Sequence, residues 1–399
     1  MKHLYICLLL CLTFDLSAQD SLNIDDIRYE AQIHYQKDNK VYTCINFLKK
    51  HEHSFQDTSW EKDAYRQVFA TYLSFVGEEK TALELHPLHM YEKESSLAVL
   101  KDALPIIIKQ AEKEKVILIN EAHHVPSHRI FVMKLLSSLQ QKGYNILVLE
   151  ALNPDIKQIA DSGIPSANDG YYVKEQTMAW LIRYAKKLGF SVMSYEVHKE
   201  FVCDDWMSSE CSAKREFEQA KNLNEIIRNH PNAKIVGLVG WEHNSEQCDI
   251  DDFPKMAQVL KAQFGINPFT IDQTHTLRQT KSKFRYTTLG LNSIDEKNVD
   301  LVVFNNDSFL TQSLSFLKDF YDTKKRKLHV TQINENNKGV LIQIYKQNEK
   351  QLLLNNCLPV LQKIIYSNGQ YAIYLPKGEY EVLVKDTNDL EIQKLFWKN

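Results

Sequence analysis

Three things are missing from this 399-residue sequence, and each absence narrows the field. Charge of one sign is missing: 48 Lys and Arg stand against 51 Asp and Glu, leaving −3. Nothing in that balance attracts nucleic acid or anionic lipid, so no nucleic-acid partner is expected. A Cys-x-x-Cys pair is missing as well, which removes the usual thiolate spacing of a structural metal site. Beyond the N-terminus there is no apolar run long enough to span a bilayer, so no membrane span is expected.

What is present begins with a leader. Lys2 and His3 precede an apolar stretch from Leu4 to Phe14, and Leu16-Ser17-Ala18 follows. This is the pattern of a secretory signal peptide over residues 1–18, cleaved after Ala18, and it implies a secreted or periplasmic protein. Lipid attachment at Cys11 is the less favoured reading, because three leucines stand before it where small residues are needed. Cleavage leaves five cysteines, an odd number, so at least one thiol stays unpaired in a monomer. Cys203 and Cys211 are near enough for a loop-closing disulfide, though spacing alone does not fix the pairing.

With 44% hydrophobic residues the chain can build two or three cores. Residues 19–95 read as helical: Ile27, Ala31 and Tyr35, then Tyr42, Ile45 and Leu48, recur at helical spacing around a turn at Lys37-Asp38-Asn39. A second pair is expected at 65–76 and 80–85, with no full repeat period, and the region is read as a helical cap. Residues 96–310 read as an α/β domain. Apolar runs at 116–119, 145–149, 190–195, 233–239, 269–271 and 299–304 are expected strands. Helices are expected from Pro126 to Gly143, over 174–188, and over 212–229 with Phe217, Ala220, Leu223 and Ile227 buried. Residues 153–170, rich in Asn, Asp, Gly, Ser and Pro, form a long irregular loop. After a basic linker at Lys324-Lys325-Arg326-Lys327, short strands around 340–345, 371–375 and 380–384, with a tight turn at Pro376-Lys377-Gly378, make residues 320–399 a β-sandwich-like accessory domain. The fold class is therefore α/β, a mostly parallel sheet with flanking helices, a helical N-terminal segment and a β-rich C-terminal module.

A strand-helix-strand unit at 116–150 makes its two strands parallel and brings their carboxyl ends to one edge. Four successive strands end in Glu or His: Glu121 with His123, Glu150, Glu196 with His198, and Glu242 with His243. A lone carboxylate after a strand is as often a helix cap as anything else. Four of them gathered at one crevice make a site that binds a divalent cation or works as an acid and base pair. His124 and His128 flank the motif and read mostly as packing residues, and Trp180 and Trp206 as core.

Three stretches carry a family resemblance over residues 116–305. ILINEAHHV followed by a helix and LVLE is similar to an apolar strand, Gly-Glu-x(1 or 2)-His and a later strand-terminal Glu. AKREFEQAKNL resembles an Arg-Asp-x-x-Met-Ala-x-Asn helix, matching at Arg215, Ala220 and Asn222 with Glu216 in the Asp place. IVGLVGWEHN is similar to a strand followed by Gly-x-x-His. Together they resemble the superfamily that joins erythromycin esterase-like proteins, ChaN-like haem-binding lipoproteins and Tiki-type metalloproteases. Asn120 departs from it where Gly is usual, Gln219 stands for Met, and no second His closely follows His243.

The resemblance implies a site of Glu121, His123, Glu150, Arg215, Glu216 and His243, and a hydrolase acting on an ester or amide of a small molecule or peptide. With a divalent metal (Zn, Mn or Co), His123, Glu150 and His243 would be its ligands and Glu121 the general base. Without one, His123 or His243 would activate water, with Arg215 stabilising the oxyanion. A ChaN-like alternative is haem or iron binding, with Tyr171 and Tyr172 near the crevice. A degenerate scaffold is the third, with Asn120 as its support.

Overall fold

The N-terminal segment is helical because its apolar residues recur every three or four positions and its caps are in place. In the computed structural model, which describes residues 22–398 apart from 38–39, 92–100, 156–158, 160–161, 199, 204–207, 249–251, 278–284, 288–297, 306–312 and 336, α1 (Ile24–Gln32) starts at a capping box of Asn23 and Asp26. It runs into a π-turn at Ile33–Lys37; α2 (Val41–Lys50), α3 (Trp60–Phe75, capped by Ser59) and α4 (Glu79–Leu85) follow. Their apolar faces form one cluster around Ile27, Tyr65, Tyr72 and Phe75. The expected leader at 1–18 and the turn residues Asp38 and Asn39 lie outside the described residues.

Two short strands, β1 (His89–Tyr91) and β2 (Lys101–Asp102), and α5 (Ala103–Ala111) lead into the sheet. Then strand and helix alternate from β3 (Val116–Glu121) through α6 (Pro126–Gln141), β4 (Tyr144–Leu149), α7 (Gln176–Lys187), β5 (Ser191–Ser194), α8 (Ser209–Asn229), β6 (Lys234–Gly240) and α9 (Met256–Phe264) to β7 (Phe269–Leu277), after which come the strands β8 (Arg285–Thr287) and β9 (Leu301–Phe304). Pro126 sits in the first turn of α6, and Gly143 takes a φ of 88° just past its end. The strand order is β2-β8-β9-β7-β3-β6-β4-β5, with β1 beside β7. Strands β9, β7, β3, β6, β4 and β5 pair in parallel, while β8 runs antiparallel to β9 and β2. Every residue of β3 is buried, as a strand covered on both faces requires. The fold is α/β with a mostly parallel sheet, as the sequence indicates.

The C-terminal region holds β10 (Thr323–Val330), β11 (Val340–Lys346), α10 (Gln347–Leu353), β12 (Leu361–Ile365), β13 (Gly369–Pro376), β14 (Glu379–Lys385) and β15 (Glu391–Lys398). They form a two-stranded β10-β13 ladder and a four-stranded β12-β11-β14-β15 sheet, all antiparallel. Two expectations change here and in α8. The basic Lys324–Lys327 run is no linker but the middle of β10, an edge strand whose charges point outward. The turn expected at Pro376-Lys377-Gly378 does join two strands, β13 and β14, which belong to different sheets. Phe217 is 42% exposed and Ile227 partly buried, while Ala220 and Leu223 are buried as expected and share that face with Cys211, Glu216 and Gln219. Polar residues lie on that face because the strand-end carboxylates and His243 receive them.

The C-terminal sheets are packed on the α/β sheet through one apolar core: Phe131 and Leu135 of α6 and Leu181 and Ile182 of α7 join Leu328, Val340, Ile342 and Val382. Trp180 Nε1 crosses that boundary to donate to the Val360 carbonyl at 3.0 Å. Removing residues 323–399 would expose this surface to water at about 25 cal/mol per Å². A chain ending at Asp322 is therefore expected to lose its cooperative melt and near-ultraviolet circular dichroism. A sharp thermal transition in that truncated chain would show the two parts to be independent.

Candidate functional site

The site is built from two charged groups of side chains at the carboxyl ends of the parallel strands. The first starts at Glu121, the last residue of β3. Past it the chain turns through Ala122, with Val125 N donating to Ala122 O, and enters α6. That turn holds His123 Nδ1 3.2 Å from Glu121 Oε1. One turn into α6, Arg129 has no exposed surface. Its Nε and Nη2 donate to the two Glu121 oxygens at 2.8 and 2.7 Å, and Nη2 also reaches the His123 carbonyl at 2.9 Å. Nη1 donates to Glu175 Oε2 at 2.8 Å. Glu175 is fixed in turn as the N-cap of α7, accepting from Thr177 N, Thr177 Oγ1 and Met178 N. Tyr172 closes the arrangement by stacking on the His123 ring, centroids 4.1 Å apart.

The second group gathers around Glu150, which follows β4. Glu150 Oε1 lies 3.2 Å from His243 Nε2 and 3.0 Å from Arg215 Nη2. His243 Nδ1 is 2.8 Å from Glu216 Oε1, and Arg215 also pairs with Glu196 at 2.8 Å. Gln219 and Asn222 steady the segment after β5, the former by donating to Glu196 Oε1 and the latter to the Tyr195 and Glu196 carbonyls. Gly240 joins the two groups. A Cβ there would stand 2.2 Å from Glu150 Oε2 and 2.4 Å from His123 Cε1, so only glycine leaves room for both side chains.

Burial alone would push the Glu121 carboxyl up, but Arg129 and the His123 contact outweigh it and hold it below its usual range. Burial acts the same way on Glu150 and is overcome by His243, His123 and Arg215, which hold it well below. For His243 burial disfavours the charge, yet Glu150 and Glu216 raise it to about 10. This histidine is an imidazolium at neutral pH. Both its ring nitrogens face carboxylates, and the Arg215 guanidinium lies 3.4 Å from Nε2. A divalent metal would need His243 Nε2, which Glu150 and Arg215 already face. Among the described residues no three His, Cys, Asp or Glu side chains are grouped to hold one. His123, Glu150 and His243 are thus not gathered as such a group.

All six residues singled out from the sequence, Glu121, His123, Glu150, Arg215, Glu216 and His243, come together. Their neighbours in sequence do not. Glu242 points outward to Lys255, and His198 is exposed. His128 Nδ1 accepts from Ala122 N, His124 Nε2 meets the His86 carbonyl, and burial lowers the two to about 4 and 3. They shape the turn rather than the crevice. Trp180 is core, Trp206 lies outside the described residues, and Tyr171 packs on Tyr72 and Phe75. Cys203 and Cys211 form the disulfide.

Arg129 and Glu175 were not legible as site residues. The one available signal is an arginine placed among apolar residues in RIFVMKLL, six positions after His123. Asn120, the departure from Gly, has ordinary extended backbone inside β3. Its side chain donates to Trp241 O and Asp272 Oδ1 and accepts from Gln273 N, so it ties β3 to the segments after β6 and within β7.

No family model and no curated protein matches the chain. Solved structures similar to it include the type III effector HopBA1, at 14% identity and a TM-score of 0.33 over 54% of this chain and 100% of that one. The RRSP effector domain of a MARTX toxin from Vibrio vulnificus CMCP6 aligns over 63% of this chain and 55% of its own, at 14% identity and a TM-score of 0.33. The C-terminal region of Pasteurella multocida toxin aligns over 90% and 58%, at 10% and 0.33. At a TM-score of 0.33 the likeness is loose. Among the described residues no helix is long and apolar enough to cross a membrane.

Two outcomes follow from this geometry. Asn120→Ala strands the Gln273 N–H and takes the amide donor from the Trp241 carbonyl, and is expected to cost roughly 3 kcal/mol of unfolding free energy in urea titrations; an unchanged midpoint would remove Asn120 as a structural tie. His243 has a folded value of about 10, above the about 6.5 of an unfolded histidine. Its stabilisation is complete below about pH 6.5 and is lost as pH climbs through about 10. Denaturant midpoints should fall over that window, and fall less in His243→Gln.

Proposed function

We propose that the chain is a hydrolase cleaving an ester or amide by water attack, with His123 as general base. The observation that carries this is the line Arg129–Glu121–His123, which faces Arg215 and His243 across Gly240. Glu121 receives the Nδ1 proton of His123 and leaves Nε2 as the acceptor on the crevice side. A water held there loses its proton to Nε2 as its oxygen bonds to the carbonyl carbon. The charge that develops on the carbonyl oxygen meets the Arg215 guanidinium, 28% exposed, and the His243 imidazolium. The proton on His123 then passes to the departing alcohol or amine. Glu150, Glu196 and Glu216 orient the two cations.

The residues that resemble the erythromycin esterase-like, ChaN-like and Tiki-type superfamily are the ones this scheme uses, and we read the chain as a member with a small-molecule or peptide substrate. The Cys203–Cys211 disulfide supports an oxidising, secreted or periplasmic setting. Tyr172 is stacked on His123 and Tyr171 is packed away, so neither stands free for haem iron.

A panel of chromogenic esters and anilides provides the test. His123→Gln is expected to lower kcat by about 10²- to 10⁴-fold, and Arg215→Gln by about 10²- to 10³-fold, with KM changing less. Both variants should melt cooperatively. Equal turnover by wild type and His123→Gln on every substrate hydrolysed would sink the assignment.

A further inference from the structure

A cavity of about 500 Å³ lies away from the crevice, between α7, the loop at 162–164 and the C-terminal sheets. We propose that it binds a small molecule carrying an oxyanion, a phosphate or carboxylate on a sugar-sized body.

The charge of the lining is the first ground. Arg183, Lys187, Lys346 and Lys377 face it against Asp322 and Glu349, an excess of two positive charges. Unmet hydrogen bonds are the second. Arg183 is 8% exposed, and its Nε and Nη2 are taken by Glu349 at 3.4 and 2.6 Å. Its Nη1 is buried with no partner, and so is the Tyr321 hydroxyl on the same lining. Buried donors are normally satisfied, and a guanidinium with a vacant N–H is a ready donor to planar or tetrahedral oxyanions. Size is the third. A cavity of this volume falls in the range of small-molecule sites and is larger than a bare phosphate needs. Lys187 Nζ, 4.4 Å above the Tyr321 ring and bonded to the Phe320 carbonyl, is held at the rim and adds to the attraction for an anion. The site is separate from the proposed catalytic one: Glu175 caps one end of α7, whereas Arg183 and Lys187 belong to the other.

Calorimetric titration of the full chain at constant ionic strength tests this with inorganic phosphate, glucose 6-phosphate, glucuronate and, as the uncharged control, glucose. The expected result is binding of the charged sugars and not of glucose, weakened at least tenfold in a Lys187→Gln/Lys377→Gln variant and in Arg183→Lys. The double variant leaves the Arg183–Glu349 pair in place and keeps the measurement meaningful if Arg183→Lys folds poorly. Phosphate binding as tightly as glucose 6-phosphate, and lost in the same variants, would support the site with the free anion as its ligand. Failure of all three anions to bind, equal binding of glucose, or affinities unmoved by the double variant would overturn it.

Discussion

A guanidinium with no exposed surface is the constraint on which the rest of the site depends. Taking Arg129 out of water is costly, and the cost is offset only because two carboxylates and a carbonyl take its donors. Glu121 comes from the end of β3 and Glu175 from the cap of α7, so one side chain of α6 locks three elements together. The same bonds leave Glu121 ionised and aimed at His123. Removing any member would strand a buried charge, and so catalytic geometry and local stability rest on the same contacts.

The second group is balanced differently. Glu150, Glu196 and Glu216 surround Arg215 and His243, three negative charges around two positive ones. Each cation touches two carboxylates, which fixes its position as well as its charge. Such an arrangement is preorganised towards an anion that forms between it and His123, and needs no side-chain movement at the moment of reaction. Gly240 sets the separation of the two groups, since its missing side chain is the space they share.

Much of this was legible beforehand, for a physical reason. Buried parallel strands are continuous apolar runs, so 116–119 and 233–239 announced themselves, and the residues just past them could be placed at one edge. What could not be read was which side of a helix faces that edge when the face is polar. Phe217 reads as core on apolar periodicity and is exposed, while the buried Glu216 beside it was placed in the site only by the resemblance. Arg129 and Glu175 were invisible for the same reason: their burial is compensated by partners 8 and 46 residues away in sequence. The Lys324–Lys327 run reads as a linker by composition, yet an edge strand tolerates charge because one side of it stays in water. Asn120 reads as a defect in a glycine motif and is instead a tie between strands.

The strand order has a consequence for how the molecule comes to be made. β6 lies between β3 and β4, yet it follows both in the chain. A polypeptide growing from its N-terminus therefore completes two apolar strands that have no ladder between them, each with an open edge, and the wedge that joins them arrives only with residues 234–240. Loop closure over that distance must precede any reward from pairing. His243 follows directly behind the wedge, so the two halves of the site meet only when the centre of the sheet is filled.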